Sequence, residues 1–272
     1  MNPNLLLIPG FSYSDFTRPW CMKQEEFTSF WKDIRSGLVD LSDATPKSTA
    51  VVMQAGRGKN IAVLNVRNTM IKPATWWGTS TVQLRNDLRA ASVNPDISGI
   101  LLSIDSPGGS SAGMPELVMD VNKAREKKPV WAHIEDMGAS AAYYLASQAD
   151  ALFASPGSVV GSIGTMLAVP DLSKLAEREG VFVHMFKTGD LKGAGYPGTP
   201  VTEEQQTEFQ SWVDGVQELF DSAVRKGRYL SAAELSAVRT GGIFMPPVAQ
   251  NLKLIDGIQS FDKTLARLAA AA

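Results

Sequence analysis

Apolar residues occur along the chain in short blocks, and the spacing inside each block predicts whether it forms a strand or a helix. A short apolar run bounded by turn residues predicts a buried strand, whereas apolar positions three and four residues apart predict an amphipathic helix. The predicted strands are residues 50–53, 61–66, 99–104, 129–134, 151–153, 159–160 and 181–187. The predicted helices are residues 82–91, 114–126, 139–147, 172–179 and 202–226.

This order of elements predicts an α/β fold, because strands that alternate with helices usually pair in parallel. Residues 1–48 precede the alternation and are predicted to be an N-terminal extension with one helix, since residues 25–41 have helical spacing. Residues 49–262 are the predicted main domain. The alanine-rich residues 263–272 are predicted to be a tail whose helix is frayed.

The composition is that of an ordinary soluble globular protein, since 44% of the 272 residues are hydrophobic and 20% are charged. A net charge of −2 gives no reason to expect a nucleic-acid partner, because proteins that bind nucleic acids usually carry a basic face. Cys21 is the single cysteine and cannot form an internal disulfide, which fits a reducing compartment. The sequence has neither an apolar run of about 18 residues, as a membrane span requires, nor a signal-peptide core. We therefore expect a soluble, cytoplasmic protein without a membrane anchor.

A serine near the middle of the chain is the main candidate for chemistry. Ser140 lies among the small residues 138–142, directly after a predicted strand and at the start of a predicted helix. This placement exposes a hydroxyl and directs backbone N–H groups at it, although a tightly packed helix crossing would use the same residues. The two histidines, His133 and His184, both lie inside apolar runs. A lysine is therefore the more plausible base, and Lys192 follows 52 residues after the serine.

Four segments of the chain occur in a characteristic order: Asp105-Ser106-Pro107-Gly108-Gly109, Gly138-Ala139-Ser140-Ala141-Ala142-Tyr143-Tyr144, Gly161-Ser162-Ile163-Gly164 and Gly189-Asp190-Leu191-Lys192. Together they resemble the signal peptide peptidase A family of Ser-Lys serine proteases, and most of all its phage head-maturation branch. The resemblance covers about residues 60–260 and leaves the first 50 or so outside. It implies a Clp-protease/crotonase-like fold of repeated β-β-α units with parallel sheets.

The resemblance also implies a role for each site residue. Ser140 would be the nucleophile and Lys192 the general base. Ser162 would orient the lysine amine, although it reads equally well as a turn serine between two glycines. The backbone N–H of Gly109 would be one oxyanion donor, and the N–H of Ala141, next after the nucleophile, is the physically natural second donor.

One neighbour of the lysine complicates this assignment. Lys192 must be neutral to accept a proton, which burial away from carboxylates favours. Asp190 lies two residues earlier, on the same face of an extended backbone. We therefore expect the Asp190 carboxylate to turn away from the lysine.

The implied function is that of a serine endopeptidase that processes capsid or scaffold proteins of a phage or prophage, and also itself, during head maturation. It would act in the host cytoplasm within the assembling head. Family members assemble into rings, so the resemblance implies a homo-oligomer in which the lysine can meet the serine of a neighbouring protomer. No histidine and cysteine cluster has metal-site spacing, and we expect neither a metal nor a cofactor.

Three alternatives stay open. A soluble bacterial protease similar to signal peptide peptidases would share the site without the phage role. A crotonase-type acyl-CoA enzyme would share the fold and the glycine-rich turn, but such enzymes usually transfer protons with a glutamate. Here Ser140 occupies the position after the strand, and Glu135 lies at the strand end. The third alternative is a non-catalytic assembly protein.

Some residues are interpreted as structural. Ser106 and Ser110 flank the segment Pro107-Gly108-Gly109, here called the glycine turn. They are interpreted as turn and helix-cap residues rather than nucleophiles. Trp76 and Trp77 are expected to pack in a core or an interface, although the lining of a substrate groove is an alternative. The predicted helix at residues 202–226 has apolar positions at helical spacing, which indicates a core or oligomer contact.

Overall fold

The structure, a computed structural model, describes residues 20–22, 48–56, 58–72 and 78–272 of the chain. Only the backbone is described for residues 20–22. The predicted helix at residues 25–41 and the predicted packing of Trp76 and Trp77 lie outside the described residues, so both stay predictions.

The described chain alternates between strands and helices, as its apolar pattern predicts. The strands are β1 (Trp20–Met22), β2 (Ala50–Ala55), β3 (Lys59–Arg67), β4 (Met70–Ile71), β5 (Thr79–Ser80), β6 (Gly99–Ser106), β7 (Gly108–Ser110), β8 (Val130–Ala139), β9 (Ala151–Ala154), β10 (Val159–Gly161), β11 (Ile243–Phe244) and β12 (Gly257–Ile258). The helices are α1 (Thr81–Val93), α2 (Met114–Arg125), α3 (Ala141–Ala146), α4 (Ser173–Arg178), α5 (Glu203–Gly227), α6 (Ala232–Val238), α7 (Pro246–Asn251) and α8 (Phe261–Ala271).

In the described chain, eight strands form a main sheet in the order β11-β10-β8-β6-β3-β2, from which β9 and β12 branch. The strands β3, β6 and β8 are parallel neighbours. β8 also pairs in parallel with β9 along its first half and with β10 at its last three residues. The antiparallel strands β2 and β11 lie at the two ends of this order. The predicted α/β fold with mostly parallel sheets is confirmed.

Two successive segments repeat one β-β-α pattern. In the first, β3 is followed by the short strands β4 and β5 and then by α1; in the second, β6 is followed by β7 and then by α2. The short strands leave the main sheet and form a second sheet in the order β1-β7-β4-β5. A third long strand, β8, leads into α3 with only Ser140 between them.

Capping and apolar spacing explain the first helix. The Ser80 hydroxyl accepts a hydrogen bond from the N–H of Gln83 at 3.2 Å, which satisfies a donor that the first helical turn cannot pair internally. Leu84, Leu88 and Ala91 then recur at spacings of three and four residues and are all buried. These side chains join the large core that the helices α1, α2 and α3 form with one face of the main sheet.

A second, smaller core lies on the opposite face of the sheet, beneath α8. Alternate residues of a strand point to opposite faces, so Ile61 and Val63 of β3 face away from the large core and contact α8 instead. Leu265 and Leu268 of α8 are buried there. The prediction of a frayed terminal helix is therefore wrong, because the leucines of this alanine-rich helix are buried against the sheet.

The predicted strand at residues 181–187 is also wrong, since the structure assigns no strand to these residues. Phe182 is 71% exposed and Phe186 is 97% exposed. An apolar run satisfies the sequence pattern of a strand, but a strand also needs a neighbour for its backbone N–H and C=O groups. None of the described strands pairs with residues 181–187.

The long helix α5 has one buried face, as predicted for residues 202–226. Phe209, Phe220 and Val224 are buried, whereas Trp212 and Leu219 are 43% and 53% exposed. The core contact is confirmed. Among the helices that the structure describes, none combines the length and the apolar character needed to cross a bilayer.

His133 lies inside the smaller core and connects β8 to α8. Its Nδ1 lies 2.9 Å from the Thr264 hydroxyl, its Nε2 lies 3.1 Å from the Ser155 hydroxyl, and its ring packs edge-on against Phe261. Burial, only partly offset by the charge of Glu135, lowers the pKa of His133 from 6.5 to about 4. The imidazole is thus a neutral structural group that hydrogen bonds hold in place.

This burial predicts a pH-dependent stability. Between pH 6.5 and about 4 the unfolded chain protonates His133 while the folded chain resists, so the free energy of unfolding falls as the pH drops through this window. The full loss is about 3 kcal/mol. Urea unfolding at a series of pH values should show a flatter profile for His133→Gln than for the wild type. The exposed His184 provides the control, and equal flattening in His184→Gln would contradict the prediction.

Candidate active site

Ser140 holds a strained backbone conformation at the junction between β8 and α3. Its φ is 53° and its ψ is −118°, a combination that costs a non-glycine residue about 1–3 kcal/mol. A nucleophilic serine at a sharp strand-to-helix turn adopts this kind of conformation. The turn also requires Gly138, since a Cβ there would lie 2.5 Å from Cδ1 of Ile134.

The backbone of Ser140 is held from two sides while its hydroxyl is left weakly bonded. The Ser140 N–H donates to the carbonyl of Gly161 at 2.8 Å, and the Ser140 carbonyl accepts from the N–H of Tyr144 at 2.8 Å. The hydroxyl lies 3.5 Å from the carbonyl of Gly164, at the outer limit for a hydrogen bond, and does not cap α3. Ser140 has no exposed surface. The structure therefore presents a fixed, buried hydroxyl that is not committed to a strong bond.

The segment that contains Ser162 passes directly beside Ser140. Parallel pairing places Gly161 opposite Ala139, so the next residues of the two strands, Ser162 and Ser140, are neighbours in register. Ser162 is 5% exposed, has a positive φ of 51°, and donates its N–H to the carbonyl of Gly242 at 2.7 Å. The sequence segments around the two serines are thus brought together.

The glycine turn approaches Ser140 from the other side of β8. A register shift in the pairing of β6 with β8 places Ser106 opposite Gly138. The Ser106 hydroxyl donates to the carbonyl of Asn68 at 2.5 Å and accepts from the N–H of Gly108 at 3.2 Å. The turn interpretation of Ser106 is wrong, because Ser106 is the last residue of β6 and only Pro107 separates it from β7.

Gly109 and Ser110 of the following strand β7 are also held in place. A Cβ on Gly109 would lie 1.9 Å from the carbonyl oxygen of Met70, so only glycine fits. The Ser110 hydroxyl accepts from the N–H of Ala112, but the N-cap of α2 is Gly113. The helix-cap interpretation of Ser110 is therefore wrong, because α2 begins three residues later than that role requires.

Lys192 lies in an exposed turn and does not bond to Ser140. Within the described chain its ammonium group makes no hydrogen bond or ion pair, and its backbone N–H donates to the carbonyl of Gly189. The Asp190 carboxylate forms no ion pair with it; the Asp190 carbonyl instead accepts from the ammonium of Lys187. The expected separation of Asp190 from the lysine is thus present, while a Ser-Lys contact is not made within one described chain.

A charged cluster at the carboxyl ends of β3, β6 and β8 is absent from the sequence-based interpretation. Arg67 Nη2 lies 2.6 Å from Glu135 Oε1 and 3.0 Å from the Ser103 hydroxyl, which also bonds Glu135. Burial raises the pKa of Glu135, but the hydrogen bonds from Ser103 and Arg67 outweigh it, so its pKa lies below the usual value. Burial and the charge of Asp136 raise the pKa of Asp105. No single motif indicates this cluster, because its members come together only through strand register.

The chain is similar in sequence to known proteases. Residues 122–272 match the family model described as peptidase family S49. A protein of Methanocaldococcus jannaschii described as a candidate protease is 29% identical over 187 residues, which cover 69% of this chain and 59% of the relative. The capsid assembly protease C of Escherichia phage lambda is 33% identical over 137 residues, which cover 50% of this chain and 31% of the relative. The chain thus spans 31% to 59% of the length of these two relatives.

A solved crystal structure gives a more distant comparison. It is of a candidate enoyl-CoA hydratase from Mycobacterium avium paratuberculosis K-10, with 17% sequence identity and a TM-score of 0.49. The match covers 82% of this chain and 76% of the other.

The backbone strain at Ser140 should appear as a difference in stability between its glycine and alanine variants. Glycine adopts positive φ without the clash of a Cβ, so Ser140→Gly should be about 1 kcal/mol more stable to urea than Ser140→Ala. Ser158 is also buried but does not have a positive φ. At that position the order should reverse, with the glycine variant less stable than the alanine variant. The same order at both positions would show that Ser140 is unstrained.

Proposed function

We propose that this chain, which belongs to peptidase family S49, is a serine endopeptidase in which Ser140 is the nucleophile and Lys192 is the general base. The observation that carries the proposal is the strained turn at Ser140, which places a weakly bonded hydroxyl at the start of α3. A strain of this kind persists only where the surrounding structure enforces it, and such positions cluster at active sites. The family match supports the proteolytic role.

In the proposed reaction, the Ser140 oxygen attacks the carbonyl carbon of a peptide bond while its proton passes to the Lys192 amine. The carbonyl oxygen becomes an oxyanion that accepts hydrogen bonds from the N–H groups of Gly109 and Ala141. Ala141 is the first residue of α3, so its N–H has no intrahelical partner. Lys192 then returns the proton to the leaving amine. In the second half, Lys192 takes a proton from water while the water oxygen attacks the acyl carbon. The ester bond to Ser140 then breaks, and Lys192 returns the proton to the serine oxygen.

The base is proposed to come from a second copy of the chain. Lys192 lies on an exposed turn, near in sequence to Phe182, Phe186 and Tyr196, which are 71%, 97% and 45% exposed. Large apolar side chains that are exposed together usually mark an interface. Docking of this segment onto a neighbouring protomer would bury the lysine and favour its neutral form. Ser162, beside Ser140 in register, would orient the incoming amine.

The proposed substrates are phage or prophage capsid and scaffold proteins. The supporting relative is the lambda protein, whose name states a role in capsid assembly, although the chain spans only 31% of its length. A bacterial protease similar to signal peptide peptidases would use the same site on other substrates. Co-expression with the adjacent capsid and scaffold proteins distinguishes the two roles.

In that co-expression, the wild type should convert the capsid or scaffold protein to a shorter product, detected by intact-mass spectrometry. Ser140→Ala and Lys192→Ala should leave it full-length. Lys187→Ala is the matched control, because Lys187 lies in the same segment but bonds the Asp190 carbonyl. Processing that survives in Ser140→Ala would eliminate the proposed nucleophile.

The nucleophile and base can also be tested without a known substrate. A fluorophosphonate should add one phosphonyl group to Ser140 in the wild type, and none in Ser140→Ala. The rate of labelling should fall about 10²–10⁴-fold in Lys192→Ala, which is the usual contribution of a general base. The Lys187→Ala control should label at the wild-type rate. If both lysine variants label alike, Lys192 is not the base.

The crotonase alternative loses its proton-transfer group in this structure. The Glu135 carboxylate bonds Arg67 and Ser103 and has a lowered pKa, whereas a general acid or base at neutral pH needs a raised one. The non-catalytic alternative predicts that no fluorophosphonate adds to Ser140.

A further inference from the structure

The strand β1 pairs with one edge of β7, the strand that contains the proposed oxyanion donor Gly109. It pairs antiparallel with β7, with Trp20 opposite Ser110, Cys21 opposite Gly109 and Met22 opposite Gly108. The other edge of β7 is taken by β4, where Met70 pairs with Gly109. Because both edges are filled, no further strand can pair with β7 unless one of its neighbours leaves.

A peptide substrate needs one of these edges. A carbonyl that accepts a hydrogen bond from the Gly109 N–H belongs to a chain that continues on both sides of the scissile bond, and extended peptides bind by adding a strand to a sheet edge. The β4 edge is a permanent part of the fold, since the Gly109 backbone packs too closely on Met70 to admit even a Cβ. The β1 edge is therefore the one that a peptide can take.

The burial of the nucleophile also requires a movement. Ser140 has no exposed surface, so a peptide cannot reach it until some element moves. β1 is only three residues long and is the end strand of its sheet. A strand with so few backbone hydrogen bonds, each worth about 1 kcal/mol net, can be exchanged for another peptide.

We propose that β1 is a built-in competitor of the substrate, an extended segment of this chain that holds the peptide-binding edge of β7 until a substrate strand displaces it. The inference rests on the proposed function, since Gly109 and Ser140 define the edge that matters. The occupant of this edge during catalysis is an extended peptide that pairs through its backbone. The glycines of β7 are suited to backbone pairing with different peptides, since they have no side chain that would select one peptide sequence.

A reversible cross-link tests the competition. Trp20→Cys and Ser110→Cys, combined with Cys21→Ser, place one cysteine pair at directly opposed positions of β1 and β7. The oxidised form locks β1 in place, and dithiothreitol releases it. A peptidyl fluorophosphonate with a tri-alanine peptide should label Ser140 at least ten times more slowly in the oxidised form than in the reduced form.

The matched control cross-links an edge that does not touch β7. Gln54 and Asn60 are opposed in the antiparallel pair of β2 and β3, and oxidation of Gln54→Cys/Asn60→Cys in the Cys21→Ser background should leave the labelling rate unchanged. A small alkyl fluorophosphonate on the reduced proteins reports the proposed function separately. If it fails to label Ser140, the proposed function is overturned and this inference with it. Equal peptidyl labelling of the oxidised and reduced β1 cross-link would overturn the inference alone.

A second variant tests the same idea if the cross-linked protein does not fold. Cys21→Pro/Met22→Pro removes two of the three backbone donors that β1 can offer. Labelling by the peptidyl probe should become at least three times faster than in the wild type, while labelling by the alkyl probe changes less. A slower or unchanged peptidyl rate would show that β1 supports the site and does not compete for it.

Discussion

The site depends on one backbone constraint, which is that β8 becomes α3 within a single residue. Ser140 makes this change by holding a positive φ, and its N–H and carbonyl are fixed by Gly161 and Tyr144. Since the strain is of the order of 1–3 kcal/mol, it persists only because strand pairing on both sides of β8 leaves the chain no other path. The hydroxyl is thereby aimed by the backbone, and its position does not depend on a side-chain hydrogen bond.

Strand register brings the other segments to this residue. Gly138 lies opposite Ser106 on one side and opposite Val160 on the other, so the glycine turn and the Gly161–Gly164 segment reach Ser140 through backbone pairing alone. Glycine is required where these backbones meet, and Gly109 shows this most clearly, since its Cβ position is filled by the carbonyl of Met70. Small residues in these segments therefore allow the close approach of the backbones around Ser140.

Local patterns are sufficient to predict the main elements of the fold, but partners and register are not local. The longer strands and the helices between residues 50 and 179 follow from apolar runs and spacing, because the buried face of each element produces a periodic pattern in the sequence. The short strands β4, β5 and β7 have no such pattern and are not predicted. The run at residues 181–187 has the same pattern without a neighbouring strand, and its phenylalanines stay exposed. No sequence motif predicts the cluster of Arg67, Ser103 and Glu135, since Ser103 and Glu135 are 36 and 68 residues away from Arg67 in the chain. The role of Lys192 rests on the lack of a suitable histidine and on the family resemblance, since Lys192 forms no bond with Ser140 within the described chain.

The geometry also explains how such a chain could avoid damaging its own cell. A serine that is buried, strained and weakly bonded is ready to react but is out of reach of a peptide. The two proposals place two separate requirements on the active state, which are arrival of Lys192 from a neighbour and departure of β1 from the edge of β7. Requirements that must be met together multiply their populations. A free protomer would then be active only rarely, whereas a high local concentration of copies and of extended substrate, as in an assembling particle, favours both steps at once.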